Sequence, residues 1–198
     1  MITCPHDGCG CLVHYDDEFH HQIGCPRASC ACTEPGCRFA ASPVGLVIHL
    51  QSAHSIPFLE FRYGVPNFFL LPVPLPGSPS RLHFAYGADG SVFILIIGQL
   101  SPVAAVSFLC VRSAAWLWPE YMVTMWVKGQ HSLEGSSQAD YSRDSVKAVI
   151  EAKSSMSPGT VELEEMTSFL PVPPRYLVGV GPSKQVGFRV LIDKKNRS

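Results

Sequence analysis

The sequence predicts a small module of β-hairpins and short helices that is rich in cysteine and histidine, followed by an all-β antiparallel sandwich. The division rests on two observations. Of the 8 Cys and 8 His in the 198 residues, seven cysteines fall in the first 37 positions and six histidines in the first 54. After these, short apolar segments recur between turn signals. We therefore predict a first domain at 1–58 and a second at 59–198.

The strands of the second domain are predicted from apolar segments at the spacing typical of a sandwich. The segments are 67–73, 81–86, 91–97, 103–111, 120–129, 145–152, 159–165 and 185–193. A chain of this length can bury a sizeable core.

One stretch could be mistaken for a membrane span, because no residue between 90 and 111 is charged. Gly98, Gln99, Ser101 and Pro102 interrupt its middle, and both halves are rich in β-branched and aromatic residues. Two buried strands joined by a turn explain it better. We therefore expect no membrane partner.

The cysteines of the first domain predict either disulfides or metal sites. The N-terminus has neither a basic start nor an apolar core, so it does not resemble a secretory signal. A reducing compartment, cytoplasmic or nuclear, is therefore expected, and there a metal site is favoured. The interleaved histidines favour Zn2+, because disulfides do not use them.

The segment 37–54 predicts a turn followed by a helix. Ser42 suits the N-cap and Pro43 the first helical position. His49 falls late on this helix, and His54 follows five residues later, about 140° around an ideal helix. Both rings can face one point only if the last turn loosens. A shorter helix is predicted at 19–23.

Spacing predicts two four-ligand sites and leaves some members open. Candidates for the first site are Cys4, Cys9 or Cys11, His20 or His21, and Cys25. Candidates for the second are Cys30 or Cys32, with Cys37, His49 and His54.

Composition and position weigh against two other functions. The first 60 residues hold six acidic residues against two arginines and no lysine, whereas a finger that binds nucleic acid needs a basic face. Hydrolysis through Cys110 with His83 or His131 is disfavoured, because Cys110 lies in an apolar segment where thiols are usually inert. We expect no catalytic residue and no nucleic-acid partner.

Several motifs along the chain share one resemblance. They are GC at 8–9, HHQIGC at 20–25, CACTEPGC at 30–37, HLQSAH at 49–54, FRYGVP at 61–66 and FLPVPPRYLVG at 169–179. Together they resemble the seven-in-absentia (SINA, SIAH) family, in particular its divergent plant SINA-like members, over nearly the whole chain.

This resemblance implies a SIAH-type double zinc finger holding two structural ions. The implied ligands are Cys4, Cys9, His21 and Cys25 for one ion, and Cys30, Cys37, His49 and His54 for the other. The first two family cysteines usually stand seven apart, but Cys4 and Cys9 stand five apart, so Cys11 stays a competitor. Cys32 matches a family cysteine that is not a ligand.

The resemblance also implies a TRAF-like sandwich that binds protein substrates or degron peptides. It implies homodimers, or heterodimers with relatives. Family ligases carry a RING domain before the finger, and this sequence begins three residues before Cys4. We therefore expect an adaptor or regulator of ubiquitin-dependent degradation that has no transferase activity alone. The alternatives are a fragment or isoform of a RING-type E3 ubiquitin-protein ligase and, less favoured, a nucleic-acid-binding finger.

Overall fold

The computed structural model describes residues 1–113, 119–129, 144–161, 163, 166 and 168–195. The first part of the chain forms two small hairpins, each followed by a helix. Its elements are β1 (Ile2–Thr3), β2 (Leu12–Val13), a 3-10 turn (Tyr15–Asp17), α1 (Glu18–Gly24), β3 (Cys30–Ala31), β4 (Ala40–Ala41) and α2 (Pro43–His54).

The rest of the described chain is mostly β. Its strands are β5 (Phe58–Phe61), β6 (Asn67–Pro72), β7 (Arg81–Gly87), β8 (Val92–Leu100), β9 (Val103–Val111), β10 (Glu120–Lys128), β11 (Ser145–Glu151), β12 (Lys153–Ser155), β13 (Leu170–Val172), β14 (Leu177–Val178) and β15 (Gln185–Lys195). Single 3-10 turns lie at Pro158–Thr160, Pro174–Tyr176 and Gly181–Ser183.

These strands form two sheets that share a core. One sheet has the order β11–β10–β15–β14, with β6 also paired to β15, and the other has the order β12–β9–β8–β7–β5, with β13 on β9. Pairing is antiparallel except at β5–β7 and β12–β9. Alternate residues of β10 and β15, such as Val123 and Phe188, are buried in the same cluster as Phe93 and Phe108 from the facing sheet.

The central strands β8 and β9 are buried on both faces. Their inward residues, such as Leu95, join the core between the sheets, while outward residues such as Ile94 pack with Leu46 and Leu50 of α2. Because both faces are buried, these strands lack the alternation of apolar and polar residues that is expected of a half-exposed strand. The uncharged stretch 90–111 is thus two strands joined at Ser101–Pro102, as predicted.

No helix within the described parts of the chain is both long and apolar enough to cross a membrane. The mostly β second part agrees with the prediction, whereas the division at residues 58 and 59 stays a prediction.

One predicted strand is wrong in its described part. Pro158–Thr160 forms a 3-10 turn where the segment 159–165 was expected to be extended. This turn lies against the first part of the chain, and a Cβ added to Gly159 would come within 2.7 Å of the Thr33 Cα. Sequence patterns also missed β5, β12, β13 and β14, because segments of two to four residues carry little periodicity.

Candidate metal centres

Four side chains converge in the first part of the chain to form what we call the first cluster, namely Cys4, Cys9, His21 and Cys25. The Cys4 and Cys25 sulfurs lie 3.8 Å apart, and Cys9 Sγ lies 3.5 Å from His21 Nε2. All the candidate ligand atoms of this cluster lie within 4.8 Å of one another. The structure thus brings together all four residues predicted for the first site.

Short elements set the positions of these four residues. Cys4 and Cys9 lie in the loop of the β1–β2 hairpin, where Cys4 N donates to Cys11 O at 2.9 Å. His21 lies on α1, the short helix predicted here, and Cys25 follows its last residue in an extended conformation. The hairpin and helix meet at the cluster, at the small apolar contact around Ala28, and where His6 Nε2 lies 3.0 Å from Gln22 O.

A second set of side chains, the second cluster, consists of Cys32, Cys37, His49 and His54. Cys32 Sγ lies 3.6 Å from His54 Nε2, Cys37 Sγ lies 3.4 Å from His49 Nε2, and the two Nε2 atoms are 3.1 Å apart. Phe39 stacks on the His49 ring with centroids 3.9 Å apart, which fixes the orientation of that ring.

The helix α2 presents both histidines as its sequence indicated. Ser42 Oγ accepts from Gly45 N at 3.4 Å, and Pro43 is the first helical residue. At the other end the amide of Ser55 donates to Leu50 O, five residues back instead of the four of an ideal α-helix. The final turn therefore departs from ideal geometry, as the 140° separation of the histidines required.

The structure does not place Cys30, which the resemblance implied as a ligand, in the second cluster, and Cys32 lies there instead. Cys30 pairs with Ala41 across the β3–β4 hairpin and is fully buried. Its thiol packs with Leu46 and Leu50 and lies 3.7 Å from Ala28 O, to which it donates. Burial raises the pKa of this thiol to about 11, as expected for a packed neutral group.

A repeat in the sequence could have identified Cys32. With Cys32 as the ligand, both clusters have two cysteines five residues apart and a histidine twelve residues after the second cysteine. The short Cys4–Cys9 spacing is then no deletion, since Cys32–Cys37 repeats it. Only the fourth ligand differs. Cys25 lies four residues after His21, whereas His54 lies five residues after His49.

Backbone amides point at the cluster sulfurs. Arg27 N donates to Cys25 Sγ at 3.4 Å and Glu34 N to Cys32 Sγ at 3.5 Å. A backbone hydrogen bond from Cys11 is the main cause that lowers the pKa of Cys9 to about 6. Burial instead raises the pKa of Cys25 to about 12. Since thiolates are the ligating form, a metal ion would displace the Cys25 proton.

The remaining candidates lie outside both clusters. Cys11 and His20 are exposed, and Cys11 is not a member of the first cluster but hydrogen-bonds to Cys9 through its backbone and its side chain. Cys110 is buried on β9, where burial raises the pKa of its thiol to about 12, so it has the properties of a packed core residue. His83 is half-buried on β7, and His131 lies outside the described residues.

Comparison with protein-family models and with curated proteins finds no match to this sequence. The two clusters are therefore identified from their own geometry. Each cluster offers four protein ligands of the types that bind zinc, and each could hold a metal ion.

Proposed function

We propose that this chain is a zinc-stabilised protein-interaction module of the seven-in-absentia type, acting as an adaptor or regulator in ubiquitin-dependent protein degradation. The observation that carries the proposal is the pair of four-ligand clusters with repeated spacing, joined to a two-sheet β domain. The motifs of the sequence resemble the same family across both parts of the chain.

The distances within the clusters support zinc as the metal. Tetrahedral Zn2+ binds sulfur at about 2.3 Å and nitrogen at about 2.0–2.1 Å, which sets ligand–ligand edges of about 3.8 Å for S–S, 3.6 Å for S–N and 3.3 Å for N–N. The corresponding distances are 3.8 Å, between 3.4 and 3.6 Å, and 3.1 Å. Four protein ligands leave no position for a water molecule, so both ions are structural and neither is catalytic.

The two-sheet domain supports the peptide-binding part of the proposal. We assign it to the TRAF-like type, whose family role is to bind substrate or degron peptides and to dimerise. Within the described residues, β5, β6 and β11 each pair with a strand on one side only. Such edges offer the backbone groups to which an extended peptide can add as a further strand.

The alternative is that this sequence is a fragment or isoform of a RING-type E3 ubiquitin-protein ligase. The two proposals share the zinc sites and the substrate-binding domain, and they differ in whether a longer product supplies a site for the ubiquitin-conjugating enzyme. A transcript that extends upstream with a further eight-ligand cysteine–histidine set would favour the ligase. An in-frame upstream stop codon would exclude it.

The adaptor role is tested with the purified, zinc-loaded 198-residue chain. We expect no ubiquitin transfer when it is mixed with activating enzyme, conjugating enzymes, ubiquitin and ATP. We expect a dimer mass in solution and co-purification with full-length seven-in-absentia relatives or their substrates. Transfer by this chain alone, or failure to associate with any relative or substrate, would contradict the adaptor role. Cytoplasmic or nuclear location is part of the same proposal.

A further inference from the structure

A cavity of about 300 Å³ opens where the first part of the chain meets the two-sheet domain. We call it the junction cavity. Arg27, Pro43 and Val44 line one side, and Asp89, Arg112 and Lys194 contribute from the other. Ligand sites occur preferentially where domains meet, and this volume is at the lower end of their range. It suits one or two side chains of a bound peptide.

The lining of the junction cavity is positively charged. Among the described residues it carries three cationic side chains against one carboxylate, a net of +2. That carboxylate, Asp89, already accepts from Tyr63 Oη at 2.9 Å, Ser91 N at 3.0 Å and Lys194 Nζ at 2.5 Å. Its charge is therefore balanced within the wall, and the excess positive charge resides on the two arginines.

Arg112 is held in place with donors to spare. Its Nε donates to Ser154 Oγ and its Nη1 to Pro119 O, both at 2.8 Å, and its guanidinium lies over the Tyr121 ring, 5.1 Å from the centroid. Among the described residues these bonds use two of the five N–H donors of the group, and both acceptors are neutral. The fixed planar fork is suited to a carboxylate or phosphate.

The first turn of α2 adds to the positive charge around the junction cavity. Pro43 and Val44, the first two residues of a twelve-residue helix, form part of the wall. The positive end of the helix dipole thus lies at a cavity that already holds the cationic side chains, and both features favour a negative group. The charge of the cavity contrasts with the acidic composition of the first 60 residues.

We propose that the junction cavity binds an anionic side chain of a peptide ligand, either a carboxylate or a phosphorylated serine, with Arg112 and Arg27 as its partners. This rests on the proposed peptide-binding function and adds to it a second recognition point away from the sheet edges. Because Arg27 lies two residues after Cys25 and Pro43 begins the helix that carries His49, both clusters help to position the side of the cavity that the first part of the chain supplies.

The test is an NMR titration of the ¹⁵N-labelled, zinc-loaded chain with capped tripeptides of the form acetyl-Gly-X-Gly-amide. X is glutamate, phosphoserine or, as the neutral control, glutamine, and inorganic phosphate is titrated separately. We expect the glutamate or phosphoserine peptide to shift the amides of Val44, Gly90 and Arg112, while the glutamine peptide does not. Which of the two anionic peptides binds more tightly identifies the source of the charge.

Variants of the lining complete the test. Arg112→Lys keeps the charge but loses the planar fork, and we expect Kd to rise about tenfold. Arg27→Gln changes an exposed residue and should raise Kd about threefold without affecting folding. Arg189→Gln, on an exposed position of β15 outside the cavity, is the matched charge control and should leave Kd unchanged.

Four outcomes would overturn the proposal. They are equal shifts with the glutamine peptide, equal weakening by Arg189→Gln, binding of inorganic phosphate without either anionic peptide, and absence of any shift at millimolar peptide. None of these outcomes changes the expected result of the ubiquitin-transfer and association experiments, so failure of the cavity and failure of the adaptor role are distinguishable.

Discussion

The two clusters share their ligand spacing but differ in what supports them. The first cluster is accompanied by a small buried group in which two of its own cysteines, Cys4 and Cys25, pack with Ala28. The second cluster lies on α2, whose Leu46 and Leu50 are fully buried against the outer face of β8. The comparison teaches that the same ligand pattern can be the main source of local stability in one place and an addition to a hydrophobic core in another.

The largest expected effect comes from removing one ligand from each cluster in turn, which should unfold different parts of the chain. Cys25→Ser should unfold residues 1–25 locally, because structural zinc contributes about 10–16 kcal/mol in small finger peptides and little apolar burial replaces it. Cys37→Ser should expose the β3–β4 hairpin while α2 stays folded against β8. Hydrogen exchange measured by mass spectrometry checks this, with β9 as the internal reference. The comparison would be contradicted if α2 lost as much protection in Cys37→Ser as α1 loses in Cys25→Ser.

A core substitution should produce the opposite pattern. Leu50→Ala removes a fully buried side chain between α2 and β8, and we expect a loss of about 2–5 kcal/mol in the free energy of unfolding. Exchange should rise in α2 but not in α1. Ile48→Ala, which is 62% exposed on the same helix, is the matched control and should change stability by no more than about 0.5 kcal/mol. Similar losses for both variants would show that α2 is not docked as described.

The assignment of Cys32 sharpens the comparison, because it makes the two ligand patterns equivalent. Cys32→Ala should lower the zinc content from two ions to one. Cys30→Ala should retain both ions and cost only about 1 kcal/mol, since it removes a packed thiol. A colorimetric metal assay on the unfolded protein, read beside denaturant unfolding, checks both. Loss of an ion from Cys30→Ala with retention in Cys32→Ala would reverse the assignment.

The smallest effect is expected at Cys11. Its side chain is exposed, and its main contribution to the first cluster is the backbone hydrogen bond that lowers the pKa of Cys9, which a substitution preserves. Cys11→Ser should therefore keep two zinc ions and change Tm by no more than a few degrees. A thermal unfolding scan with a metal count checks this. Loss of an ion would make Cys11 a ligand in place of Cys9.

Much of the site could be predicted from the sequence because ligand chemistry and helix signals are local. Ser42 and Pro43 predicted the start of α2, and all four members of the first cluster were among the candidates, with the resemblance implying this set. Cys30 and Cys32 were harder to separate, because residues two apart on a strand point to the same side and differ only in what the hairpin places next to them. The fully buried environment of Cys30 depends on Leu46, Leu50 and the β-sheet beneath them.

Prediction of the fold from the sequence has the same limit, because it fails where distant parts of the chain determine the local structure. Long strands such as β8, β9 and β10 were predicted because each carries enough apolar residues to define a pattern. The turn at Pro158–Thr160 was not, since its conformation is fixed by its approach to Thr33 in a distant part of the chain. The junction cavity was also beyond prediction, because Arg27 follows α1 and Arg112 follows β9, and only the folded chain brings them to one cavity.

The most direct test of the central claim is native mass spectrometry of the 198-residue chain purified with zinc. Two closed four-ligand sites predict two zinc ions per chain, and Cys25→Ser and Cys32→Ser should each carry one. A wild-type mass with no ion or one ion would contradict the claim that the repeated cysteine–histidine pattern forms two equivalent metal centres.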